Sequence, residues 1–310
     1  MRLAIGVALV VAVAPLAVHA LQAPQAPQAP FTIGALRRDG IVVPFATFDG
    51  KSWSIRWPRP SLDVSIPINL TSVPSGWWGK PGPRDTWQAW TGSDPKTLRV
   101  RQPDGIDVHC TRQIGLRTDY RPDQPAPPWT EQPYPKDGLA VSPPQPVEKI
   151  SILQPVAPEL VGVKQTLTEA FNKAERETAS RFNYAIAQSR RESDNPQIEM
   201  AYAYGTTPRI YYVESSRVYR GFGTGDCRMA FGTGWFRADA WGITPLAMTV
   251  DLLQCDKYGA TYMYPFGVMT IAEKIYWIAQ FSGWDHERFV VVEIKPKEVV
   301  AVVNAWGGGC

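Results

Sequence analysis

From residue 209 onward, apolar and polar positions alternate in short runs, the pattern of strands that bury one face. The runs are Arg209–Tyr219, Arg228–Ala238, Ile243–Cys255, Ala260–Thr270, Lys274–Phe281, Arg288–Lys295 and Glu298–Asn304. Most links between them are short and carry Gly, Asp or Pro, as in Asp256-Lys257-Tyr258-Gly259. Seven strands so joined predict an antiparallel meander, curled as a barrel or folded as a sandwich. One stretch has a different period. Leu160, Val163, Leu167, Phe171 and Ala174 recur every three or four residues, which predicts one long helix opened by Pro158 and stopped before Asn195-Pro196.

Upstream, Phe31–Arg37 and Ile41–Phe48 read as a hairpin around Arg38-Asp39-Gly40, with shorter strands at Val64–Leu70 and Thr97–Arg101. Repeated prolines cut the rest into edges and loops. The fold class is therefore mainly β, in two units: a small Pro- and Trp-rich β domain over 31–118, and the helix plus antiparallel β domain over 158–310. Between them, 119–157 reads as a stiff linker, because eleven prolines fall from Pro122 to Pro158. The stretch 33–50 also aligns with 266–283 at a constant offset, but shared hairpin composition accounts for the few identities.

The amino terminus has a basic start, an apolar Leu3–Val18 and small residues before Ala20, so 1–20 reads as a signal peptide. Residues 21–30, LQAPQAPQAP, form an extended spacer. The expected location is secreted or periplasmic, with no membrane span in the mature chain. Four cysteines remain. If the strands at 228–238 and 243–255 form a hairpin around Trp241, opposed residue numbers sum to about 482, which sets Cys227 opposite Cys255. That leaves Cys110 to pair with Cys310, unless Cys310 stays free on a flexible Gly-Gly-Gly tail.

Charge and composition narrow the function. Lys plus Arg number 32 against 29 acidic residues, too balanced for nucleic acid as a partner. Beyond His19 in the signal, only His109 and His286 occur, and no G-x-S-x-G or zinc spacing is present. His109 and Cys110, adjacent in a strand-like run, would point to opposite faces. The Gly-rich run from Gly221 to Gly234 lacks phosphate-loop spacing, and no cofactor or metal is expected. Two chemistries remain. Twelve tryptophans include Trp77 and Trp78 side by side in a Gly-flanked loop, where indoles could stack on a sugar or anchor a protein. Asp226, Asp239, Asp251, Asp285, Glu287 and Glu293 lie near Trp235, Trp241 and Trp284, residue types that suit glycoside hydrolysis if two acids converge. The leading expectation is an exported, disulfide-bonded, non-catalytic binding or structural protein of the cell envelope or extracellular space. Its ligand would be a polysaccharide or a protein, contacted through Trp77 and Trp78. The competing one is a metal-independent, glycosidase-like hydrolase using paired carboxylates of 158–310.

Overall fold

The computed structural model describes residues 29–55, 69, 86–92, 94–128, 130–182, 186–219 and 227–310. Its first part holds strands β1 (Phe31–Arg37), β2 (Ile41–Phe48), the two-residue β3 (Trp53–Ser54), β4 (Thr86–Trp90), β5 (Lys96–Val108), β6 (Thr111–Thr118) and β7 (Lys136–Ser142). They pair antiparallel in the order β1-β7-β4-β5-β6-β2, and β2 returns to β1. The result is a closed six-stranded barrel with β3 laid on β2, so its six strands leave no free edge. Leu36, Val42, Trp87, Leu98, Ile114 and Leu116 fill the interior.

The barrel's outer apolar face needs its own cover. Phe31, Ile33, Val43, Phe45 and Val141 pack on a four-stranded sheet of β13 (Tyr262–Ile271), β14 (Lys274–Ser282), β15 (His286–Ile294) and β16 (Val299–Gly309). Strand β14 shows why that sheet sits inside: Tyr276 and Ile278 face the barrel, while Trp277 and Ala279 face the other way. Phe45 stacks on Phe289 at 5.0 Å across the first interface, a pair worth about 1 kcal/mol beyond its buried area.

The second face packs on a five-stranded sheet ordered β12-β11-β10-β9-β8. Its members are β8 (Ser151–Leu153), β9 (Gln197–Tyr204), β10 (Arg209–Tyr219), β11 (Arg228–Asp239) and β12 (Gly242–Gln254). Trp235 meets Trp277 edge to face at 5.0 Å between the sheets. Helix α1 (Val161–Phe182), entered through a 3-10 turn at Pro158–Leu160, covers the far side. Leu160, Val163, Leu167 and Phe171 are fully buried there, with a one-turn α2 (Gln188–Arg191) following. Barrel, sheet, sheet and helix thus form four successive layers. The mainly-β, antiparallel fold with one long helix is the architecture the alternation implies.

Several local expectations need correction. The stretch 119–157 is more than a linker: β7 lies hydrogen-bonded between β1 and β4 in the barrel, and β8 joins the outer sheet. Lys136–Ser142 is free of proline and buries Leu139, Ala140 and Val141 completely, so the surrounding prolines concealed a central strand. The meander over 209–304 divides after β12 into two sheets, and β9 precedes it. Val64–Leu70 lies outside the described residues apart from Asn69. The aligned stretches 33–50 and 266–283 belong to hairpins that carry their bulges on different strands, β2 in one and β13 in the other.

His109 and Cys110 are not strand residues either. They form the two-residue turn between β5 and β6, with His109 at φ 51°. Gly307, Gly308 and Gly309 are not a flexible tail: all three are buried in β16. A Cβ on Gly308, whose φ is +127°, would meet Thr111 Oγ1 at 2.6 Å and Val108 Cγ1 at 2.8 Å. Bare backbone lets β16 lie against the β5–β6 turn, where Gln113 Nε2 donates to Gly307 O at 2.7 Å. Gly308→Ala should therefore lower stability by about 1–3 kcal/mol in urea denaturation. A loss below about 0.5 kcal/mol would contradict this packing.

Candidate functional site

The site is organised around β13, the edge strand of its sheet. An exposed edge invites unwanted pairing, and here groups from outside the sheet hold the strand. Val268 exchanges two backbone hydrogen bonds with Glu148, at 2.8 and 2.9 Å. Met263 N–H donates to Glu214 Oε1 at 2.6 Å, and Met263 C=O accepts from the Tyr202 hydroxyl at 2.9 Å. Between them, Pro265 has no N–H to offer.

Beside this strand runs a groove of about 510 Å³, within the range of small-molecule sites. It opens where the end of β4, the start of β7, residues 147–152, β9 and β13 meet. Four aromatic residues line it, Trp90, Tyr202, Tyr264 and Phe266, one or more from each layer except the helix. A Cβ on Gly138 would meet Trp90 O at 2.0 Å, so this glycine lets β4 and β7 close together at the groove wall. Tyr264 is 47 % exposed and lies edge to face with Phe266 at 5.7 Å.

Two acidic residues line the groove, Asp137 and Glu148, and hydrogen bonds orient both carboxylates. Asp137 accepts from Arg38 Nε at 2.9 Å and from the Tyr120 hydroxyl at 3.1 Å. Glu148 Oε1 accepts from the Tyr204 hydroxyl at 2.8 Å and from Thr270 Oγ1 at 3.3 Å. Burial, reinforced by Asp137, pushes the Tyr264 phenol above its ordinary value, so it remains a hydrogen-bond donor at neutral pH. Lys149 adds one cation to the lining. Trp90 Nε1 is buried without an acceptor among the described residues. Apolar ring faces, fixed acceptors and a phenolic donor converge on one space.

No known protein family, curated protein or solved structure matches this chain. Its chemistry has to be read from its own groups.

A second cluster lies between the barrel and β15. Lys136 Nζ bonds Glu287 Oε2 at 2.6 Å, with both side chains 3 % exposed or less. His109 Nε2 stands 3.9 Å from Glu287 Oε1. Burial lowers both Lys136 and His109 below their ordinary values, while Glu287 pulls each back upward. His286 bonds Asp285 at 2.8 Å and stacks on Trp306, with ring centroids 6.0 Å apart. Both described histidines thus gather at one junction, but neither residue lines the groove.

The other sequence candidates are scattered. Trp77, Trp78 and Asp226 lie outside the described residues. Cys110 is joined to Cys310, and Cys227 to Cys255. Arg228 faces Gln254 and Met229 faces Leu253, the register that sets Cys227 across from Cys255. Asp239 bonds the Trp241 N–H in the β11–β12 turn, Glu293 pairs with Lys274 at 3.6 Å, and burial raises Asp251. Trp235 is core, whereas Trp241 and Trp284 are 96 % and 68 % exposed at separate turns. These acids and indoles do not share the groove. Among the described residues, no helix is long and apolar enough to cross a membrane, and no three His, Cys, Asp or Glu side chains gather as a metal site.

The groove residues went unnoticed in the sequence because Asp137 and Glu148 sit in the proline-dense stretch. The available signal was the proline-free run Lys136–Ser142.

Proposed function

We propose that this chain is a non-catalytic binding protein of the cell envelope or extracellular space, and that its ligand is a polysaccharide taken in the groove beside β13. The observation that carries the reading is the pairing of four aromatic residues with two pre-oriented carboxylates in one space of about 510 Å³. Sugar rings have an apolar face that stacks on aromatic side chains and a hydroxyl rim that donates to carboxylates. Asp137 and Glu148 already accept hydrogen bonds from Arg38, Tyr120, Tyr204 and Thr270, which suits fixed acceptors better than a proton-donating acid. Two disulfides agree with an oxidising compartment, and hence with export through 1–20. Trp77 and Trp78 remain proposed as additional contacts.

The test is a glycan array followed by calorimetry. Tyr264→Ala and Asp137→Asn should each weaken binding of any captured oligosaccharide at least tenfold, with Trp77→Ala and Trp78→Ala as parallel variants. Undiminished affinity in both groove variants removes the groove from the reading. Absence of any bound glycan removes the polysaccharide.

A further inference from the structure

We infer that Glu214 is a proton-operated latch on the groove: neutral, it holds the start of β13 against the neighbouring sheet, and ionised, it favours release. The inference rests on the groove being the binding site. Glu214 projects from β10 and is 1 % exposed. Its carboxyl group and the Tyr202 hydroxyl together grip both backbone groups of Met263. Tyr202 itself lines the groove, and Tyr264, the residue after Met263, supplies its exposed ring. Loosening the grip therefore parts Tyr264 on β13 from Tyr202 on β9.

Among the described residues, the groups around Glu214 supply no charge to balance it. Glu199 from β9 is the nearest acid, and it repels. The cation beyond, Lys257, is committed to both Glu199 oxygens at 2.8 Å. The remaining titratable neighbours are Tyr202 from β9, Tyr212 from the same strand and Tyr262 from β13. Burial raises all three phenols, so they are neutral in the working range. On β11, the residue in register with Glu214 is Thr233, which carries no charge. Desolvation outweighs the Met263 N–H and pushes Glu214 up to about 7.

The sign follows from linkage. The seated form binds the proton more tightly than a solvated form in which the carboxyl group has its ordinary value of 4.5. The ratio of seated to released β13 then falls by up to tenfold per pH unit between about 4.5 and 7, and levels off above 7. Binding in the groove should weaken over the same interval.

Amide hydrogen exchange on the free protein from pH 5 to 8, corrected for intrinsic rates, reads the latch directly. Protection at Met263 and Tyr264 should fall with pH and flatten above 7, while Glu214→Gln should be level throughout. Tyr202→Phe, which removes the other half of the grip without a titrating group, should lower protection at every pH and keep the slope. Calorimetry with a captured oligosaccharide should show binding at pH 8 weakened relative to pH 5.5 in proportion to the released fraction that exchange reports, and less than twofold change in Glu214→Gln. Level protection in the unmodified protein overturns the latch, as does an equal pH dependence of protection or affinity in Glu214→Gln. A sloping exchange profile with no glycan bound at either pH supports the latch and overturns the polysaccharide.

Discussion

Lys136→Met is expected to lower unfolding stability by about 3–5 kcal/mol at pH 8, because it strands the Glu287 carboxylate among apolar layers. In the intact protein that carboxylate has Lys136 Nζ at 2.6 Å, and both side chains are almost wholly buried. Removing a single partner leaves an uncompensated charge, whereas exchanging both for apolar groups removes the problem with the pair. The double variant Lys136→Met/Glu287→Met should accordingly recover most of the loss. His109, 3.9 Å from the other Glu287 oxygen, can accept a proton and partly replace the lysine in acid. The penalty in Lys136→Met should thus be smaller at pH 5.5 than at pH 8. Urea titrations of the two single variants and the double close the cycle. A single-variant loss under about 1 kcal/mol would mean that water already reaches the pair.

Cys110→Ser/Cys310→Ser should cost about 5 kcal/mol in the chain-entropy description, since the bridge spans 200 residues of sequence. The Cys227–Cys255 bridge spans 28, for which the same relation gives about 3.5 kcal/mol. Thermal melts of the two double-serine variants, compared at equal pH, test the order. Equal losses would show that native contacts around β16 substitute for the long bridge.

The sequence carried seven of the nine strands of the inner and outer sheets, because each buries at least one face, but not β8 (Ser151–Leu153) or β9 (Gln197–Tyr204). Arg209–Tyr219 and Arg228–Ala238 emerge with nearly their final bounds for that reason. The Cys227–Cys255 register followed from counting across one hairpin, a local relation. What stayed hidden was non-local. Lys136–Ser142 pairs with residues about 100 positions earlier in β1 and 50 earlier in β4, so no neighbouring pattern announces it. The groove depends on that same insertion, since Asp137 and Gly138 meet Trp90 only once β7 has entered the barrel. The Gly-Gly-Gly run looked like slack chain because a strand without side chains has no periodicity to read. Its purpose is visible only beside Val108 and Thr111.

The clasp of β16 on the β5–β6 turn has a consequence for how the protein is made. Residues 29–142 contain every strand of the barrel, yet their outer face of Phe31, Ile33, Val43, Phe45 and Val141 waits for β13–β16, more than a hundred residues later. A growing chain would carry that greasy surface uncovered for most of its synthesis, when sticking to other chains competes with folding. Completion is therefore a late, concerted event, and a holding chaperone that shields residues 31–45 until Cys310 has emerged should raise the yield of folded protein.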